Sequence, residues 1–186
     1  MSNFNHAIEF AVDAHSGYTR KGTGSPYIVH PMEVAAIVST MTLDDDVLAA
    51  AVLHDVVEDA GVSIETIRNF FGPRVAELVA SESEDKRPDL PKSETWKIRK
   101  EETIEHLRAT TDIAVKMITL ADKLSNLRAT YQSYMVIGDK VWNQFNMKDK
   151  ALHGWYYSEV LKALGELSGY PVWQEYRWYV NALFGL

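Results

Sequence analysis

With 186 residues, 46% of them hydrophobic and 24% charged, the chain is long enough to bury one proper core and is expected to form a single domain over 1–186. It has no cysteine, which excludes disulfides and thiolate metal sites, so any metal must be held by imidazole and carboxylate. The formal net charge of −7, from 26 acids and 19 bases, argues against broad binding to nucleic acid or anionic membrane; a small anion held by a few local bases remains compatible. There is no long apolar run and no basic-then-apolar start, so the expectation is a cytoplasmic protein without a membrane span.

A first helix is expected from about Asn3, with Phe4, Ile8, Ala11 and Val12 on one face, ending before Gly17. The stretch 17–26 holds three glycines, a proline and the basic pair Arg20-Lys21, and reads as a loop. Pro31 reads as the first residue of a second helix, since its missing N–H is an orphan there in any case, and it holds His30 extended just before that helix. Asp44, Asp45 and Asp46 cap a third helix, apolar almost all round from Val47 to Val57 and therefore central. Two shorter helices over 63–71 and 73–80 are separated by Gly72. The polar stretch 81–94 reads as a solvated loop, followed by a charged helix over 93–110 and a strongly apolar one over 112–135. Gly138 ends that region, and two or three aromatic-rich helices complete an all-α fold of about eight to ten helices.

The chemistry lies where ionisable residues interrupt these apolar faces. On a continuous third helix, Val47, Ala51, His54 and Glu58 form one stripe, and Leu48, Val52, Asp55 and Asp59 the next. Burying such groups unpaired costs several kcal/mol, and a metal ion offsets that cost by binding neutral imidazole and ionised carboxylate together. The same anomaly recurs at Asp122, below Val115, Ile118 and Thr119, with Asn126 one turn further on. His30, at a helix start, is well placed as a further ligand. His6, His15, His106 and His153 read as ordinary structural histidines.

The segments PYIVHPMEVAAIV, LAAAVLHDVVED and ITLADKLSNLR, with 24 positions from His30 to His54, resemble the motifs of the HD hydrolase domain in RelA/SpoT homologues, over about 4–131. Those enzymes break down guanosine tetra- and pentaphosphate alarmones. The chain length suits the hydrolase-only members, the small alarmone hydrolases. The resemblance implies an HD-domain helical bundle with one divalent ion, usually manganese (Mn2+), on His30, His54, Asp55 and Asp122. It also implies that Glu58 and Asp59 organise the nucleophilic water and its proton, that Arg20 and Lys21 hold the base and nearby phosphates, and that Asn126 lies near the sugar. A guanidinium suits stacking on a purine and a lysine suits phosphate, so the assignment of the basic pair is chemically apt.

The expected reaction is removal of the 3′-pyrophosphate of guanosine-3′,5′-bis(diphosphate) or its pentaphosphate counterpart, giving GDP or GTP respectively. The alternatives keep the centre and change the substrate: adenosine alarmones, a nucleotide or RNA 3′-phosphate or pyrophosphate, or the 2′-phosphate of NADPH. A non-enzymatic alternative is a nucleotide-sensing module. The chain departs from the family after the ED pair, where VASESEDKRPDLPKSETWKIRK replaces a VTD-like segment, which puts substrate choice in question. Lys86, Arg87, Lys92, Lys97, Arg99 and Lys100 read there as a solvated charged face rather than a pyrophosphate site. The aromatics of 142–179 suit core packing or a homo-oligomer contact more than nucleic-acid stacking.

Overall fold

A computed structural model describes every residue except 1, 21, 22, 84–86, 88, 91 and 186, and only the backbone of 92–94. The described residues form α1 (Asn3–Ala14), α2 (Val29–Val38), α3 (Asp45–Leu53), α4 (Val56–Ala60), α5 (Ile64–Phe71), α6 (Pro73–Glu82), α7 (Lys92–Ala109), α8 (Ile113–Ile137), α9 (Lys150–Ala163) and α10 (Pro171–Phe184). Two 3₁₀ segments, Gly138–Gln144 and Gly165–Leu167, flank α9. No strand occurs among the described residues, only one isolated antiparallel bridge between Thr19 and Pro26. None of the described helices is long and apolar enough to cross a membrane.

The chain resolves into two compact units, the first made of Met1–Ser83 and Asp112–Asp122, the second of Glu84–Thr111 and Lys123–Leu186. In the first unit α3 is the hub, packing against α1, α2 and α6, while α5 packs on α6. Every residue of α3 from Val47 to Leu53 is buried, as its all-round apolar sequence requires. The acidic run before it divides its labour. Asp44 caps α3, accepting from the N–H groups of Asp46 (3.0 Å) and Val47 (3.3 Å). Asp45 instead accepts from the Asn3 N–H at the start of α1 (2.6 Å), and Asp46 from the Asn3 side-chain amide (2.7 Å). That amide also donates to the carbonyl of Phe71 (3.1 Å), so three helices meet at Asn3.

Several local expectations need correction. On α1 the wholly buried positions are Ala7 and Ala11, whereas Val12 is exposed. Small side chains let α1 approach α3 closely, so the buried stripe is narrower than the large apolar residues suggest. His30 is helical rather than extended, because α2 starts at Val29 and Pro31 sits inside its first turn, where no intrahelical donor is lost. The expected loop at 81–94 is shorter than its composition suggests, since α6 runs to Glu82 and α7 starts at Lys92. In α8 the stretch 114–122 is buried on all sides, Lys116 included.

In the second unit α9 packs against α7 and α10. Trp142, Tyr156 and Tyr176 are buried, and Arg128 grips Glu175 with two hydrogen bonds of 2.8 and 2.7 Å, joining the later part of α8 to α10. His153 is a core residue with a partner: its Nε2 donates to the Met147 carbonyl (2.8 Å) while its ring packs on Trp96 and Trp142.

Candidate metal centre

The expected continuous third helix breaks at His54 and Asp55, so that the HDVVED segment is a two-residue turn followed by the start of α4. The cause is local. His54 Nδ1 lies 2.9 Å from the carbonyl of Ala51, a group otherwise free to close the next helical turn. An imidazole N–H donating through Nδ1 leaves the Nε2 lone pair as the free ligand atom. That Nε2 is buried and has no hydrogen bond of good geometry. The backbone at His54 and Asp55 nevertheless stays near helical values, and the Asp59 N–H reaches the Asp55 carbonyl (2.9 Å), so Asp59 still lies one turn beyond Asp55.

Around that atom the first unit gathers donors from three places. His30 Nε2, from the first turn of α2, is 3.1 Å from Asp122 Oδ1 and 3.5 Å from Asp55 Oδ2. His54 Nε2 is 3.1 Å from Asp55 Oδ2 and 3.7 Å from Asp122 Oδ1. His30, His54 and Asp122 are each buried, and one ligand atom from each lies within 4.8 Å of the others. Asp55 is the more open member, with its side chain 20% exposed.

The electrostatics follow from this packing. Burial disfavours a charged His54, but the adjacent Asp55 and Asp122 carboxylates outweigh it and hold the imidazole well above its ordinary range. Burial likewise opposes ionisation of Asp55, and the neighbouring His54 and His30 reverse that, keeping its carboxyl well below the usual carboxylate range. Two anionic oxygens and two imidazoles thus face one point. This donor set suits a divalent cation that accepts nitrogen and oxygen ligands, and the orphaned Nε2 of His54 is consistent with one.

The other candidate residues are placed as follows. Glu58 and Asp59 lie on α4, directly after the His54–Asp55 turn. Arg20 lies on the loop before α2, closed by hydrogen bonds from its N–H to Ser25 O (2.9 Å) and from Gly24 N–H to its own carbonyl (3.0 Å). Lys21 falls outside the described residues, as does Lys86, and so does the side chain of Lys92. Asn126 lies on α8 within the second unit. Arg87 is paired with Glu102, Lys97 with Glu101, and Lys100 lies over the Tyr156 ring, all within that second unit.

Sequence reasoning missed two residues beside the centre. Tyr27 donates its hydroxyl to Asp55 Oδ2 at 2.6 Å. Burial, then the carboxylates of Asp55 and Asp59, push its phenol far up, so it remains a donor. His15, read as an ordinary structural histidine, is buried against the Tyr27 ring, and neither of its ring nitrogens has a hydrogen-bond partner among the described residues. The one sequence signal for Tyr27 was its place between a Gly-rich loop and His30.

A protein-family model described as "HD domain" matches residues 7–140. The guanosine-3′,5′-bis(diphosphate) 3′-pyrophosphohydrolase of Vibrio cholerae serotype O1 is 44% identical over 123 residues, which cover 63% of this chain and 16% of that protein. The bifunctional (p)ppGpp synthase/hydrolase SpoT of Escherichia coli K12 is 42% identical over 133 residues, covering 69% of this chain and 18% of its own. The chain therefore spans less than a fifth of the length of these relatives. Among solved structures, a metazoan ortholog of SpoT, described as hydrolysing ppGpp and playing a role in starvation responses, superposes with a TM-score of 0.75 at 28% identity. That match covers 100% of this chain and 95% of the other. The Listeria monocytogenes EGD-e protein lmo0812 gives a TM-score of 0.73 at 32% identity, covering 84% and 99%.

Proposed function

Because the chain belongs to the HD domain family, and within it to hydrolases of the RelA/SpoT type, we propose that it is a metal-dependent 3′-pyrophosphohydrolase of the guanosine tetra- and pentaphosphate alarmones. The observation that carries this reading is the convergence of His30, His54, Asp55 and Asp122 at separations of 3.1 to 3.7 Å, with the Glu58-Asp59 pair one turn further on.

In this reading the four residues hold one divalent ion, manganese by family habit. When bound, such an ion supplies Lewis acidity, which makes water a better nucleophile near neutral pH and offsets charge on a phosphoryl group. Glu58 and Asp59 orient the attacking water, and one of them takes its proton. The water oxygen forms a bond to the 3′ phosphorus while the bond from that phosphorus to the 3′ oxygen breaks. Pyrophosphate leaves, and the 3′ oxygen gains a proton to become the hydroxyl of GDP or GTP. Arg20 and Lys21 hold the base and nearby phosphates. The His54 tautomer fixed by Ala51 keeps the ligand atom aimed at the centre without a further side chain.

The test is direct. Purified protein with manganese should release pyrophosphate, not single phosphates, from guanosine tetraphosphate, and His54→Ala or Asp122→Ala should abolish the release. Nucleotide binding without turnover across several divalent metals overturns the enzymatic reading. Turnover confined to an adenosine alarmone or to NADPH replaces the substrate and leaves the centre standing.

A further inference from the structure

We propose that Tyr27 is a positioning residue for the metal centre: its hydroxyl fixes the rotation of the Asp55 carboxylate, and the ring of His15 braces Tyr27. The proposal rests on the reading of His30, His54, Asp55 and Asp122 as metal ligands. It adds a supporting layer to them.

Asp55 is the ligand most in need of such support. Of the four side chains it is the most open, and a carboxylate swings between oxygens and rotamers unless something holds it. The Tyr27 hydroxyl, at 2.6 Å, lies closer to Oδ2 than His54 Nε2 at 3.1 Å or His30 Nε2 at 3.5 Å. A donor on the ligand oxygen narrows the directions in which the carboxylate can face a cation, and such outer partners typically change metal affinity by about 10- to 100-fold.

Tyr27 is itself fixed at both ends of its peptide. Its N–H donates to the Tyr18 carbonyl (2.9 Å), and its own carbonyl accepts from the His30 N–H (3.0 Å). One residue thus holds the backbone of one ligand, His30, and the side chain of another, Asp55. The ring needs a third restraint, and His15 supplies it, with ring centroids 4.9 Å apart and planes inclined by 39°. The His15 backbone caps α1, where its N–H bonds Ala11 (3.0 Å) and its carbonyl accepts from Tyr18 (3.0 Å). His15 is 3% exposed, and neither ring nitrogen has a hydrogen-bond partner among the described residues. The ring is placed by packing, closest against Tyr27 and more distantly, edge-on at 6.3 Å, against Tyr18.

The experiment is manganese titration calorimetry on the full chain, with far-UV circular dichroism and melting of the EDTA-treated protein as the check on folding. Tyr27→Phe keeps the ring on His15 and deletes only the hydroxyl. It should weaken manganese binding by about 10- to 100-fold with the melting temperature almost unchanged. His15→Ala, with Tyr27 intact, should also weaken binding, and His15→Phe should restore it, because the brace acts through shape. At saturating manganese Tyr27→Phe should recover most of the turnover on guanosine tetraphosphate. Wild-type manganese affinity in Tyr27→Phe overturns the proposal, and equal losses in His15→Phe and His15→Ala overturn the role of His15. If the wild-type chain binds no manganese, nickel, cobalt or zinc, the metal-centre reading itself falls, and this proposal falls with it.

Discussion

Metal binding should be a large lever on the stability of the first unit, because its proposed ligands exist as a set only in the folded chain. His30, His54 and Asp122 are separated by 24 and 68 positions, and they come from α2, the end of α3 and α8. An unfolded chain presents them as isolated weak ligands, so binding free energy becomes folding free energy. At a manganese concentration 100 times Kd the stabilisation is about 2.7 kcal/mol, and for a chain of this size each kcal/mol moves Tm by about 2 to 4 °C. The expected rise from EDTA to saturating manganese is therefore about 5 to 11 °C. Circular dichroism melts of wild type, Asp122→Ala and His54→Ala at matched ionic strength provide the assay, with magnesium as the control for non-specific ion effects. Wild type should show the full rise and each variant only a small part of it. An equal rise in all three proteins would mean that the ion binds elsewhere, and the argument from converging donors would be wrong.

Two further predictions concern the frame around the centre. Asp45→Ala removes the carboxylate that accepts the Asn3 N–H at 2.6 Å and should cost about 1 kcal/mol, seen as a drop in Tm of about 2 to 4 °C; no loss in a urea melt would show that water replaces it fully. His153 is held below its ordinary value of 6.5, first by burial and then by the charge of Lys100, despite its bond to Met147. Its folded-state contribution is therefore complete above about pH 6.5, and it is lost as pH falls through that value, where the unfolded chain takes up the proton first. His153→Gln should be closer to wild type in stability at pH 5.5 than at pH 7.5, and a difference that grows on acidification would contradict the assigned direction.

Much of this fold was legible because helix boundaries are set by short-range chemistry. Asp44, Ser63, Pro73 and Gly138 mark starts and stops that need no knowledge of the rest of the chain. The break after Leu53 was not legible, since LAAAVLHDVVED reads as unbroken helix and the interruption comes from one imidazole reaching back to Ala51. The buried face of α1 was misjudged in part for a related reason: Ala7 is inside and Val12 outside because a neighbour comes close, and the residues alone do not specify that neighbour. At the centre, His54, Asp55 and Asp122 were visible as charges on apolar faces. Tyr27 was not, because its partner Asp55 lies 28 positions away and a tyrosine beside a loop is unremarked in any pattern. Lys116, buried at 4% exposure on α8, shows that an ionisable residue on an apolar helix does not by itself mark a ligand.

The two proposed ligands at the α3–α4 turn are unequally exposed to mutational drift. His54 is oriented by a peptide carbonyl, which every amino acid at position 51 supplies alike, so no single codon change at that site deletes the partner. Asp55 is oriented by a side-chain hydroxyl, which one substitution at Tyr27 removes. In a lineage released from selection on hydrolysis, the support of Asp55 should therefore decay while the aim of His54 persists. Such a lineage would pass through a chain whose imidazoles still point at the ion but whose carboxylate no longer holds still.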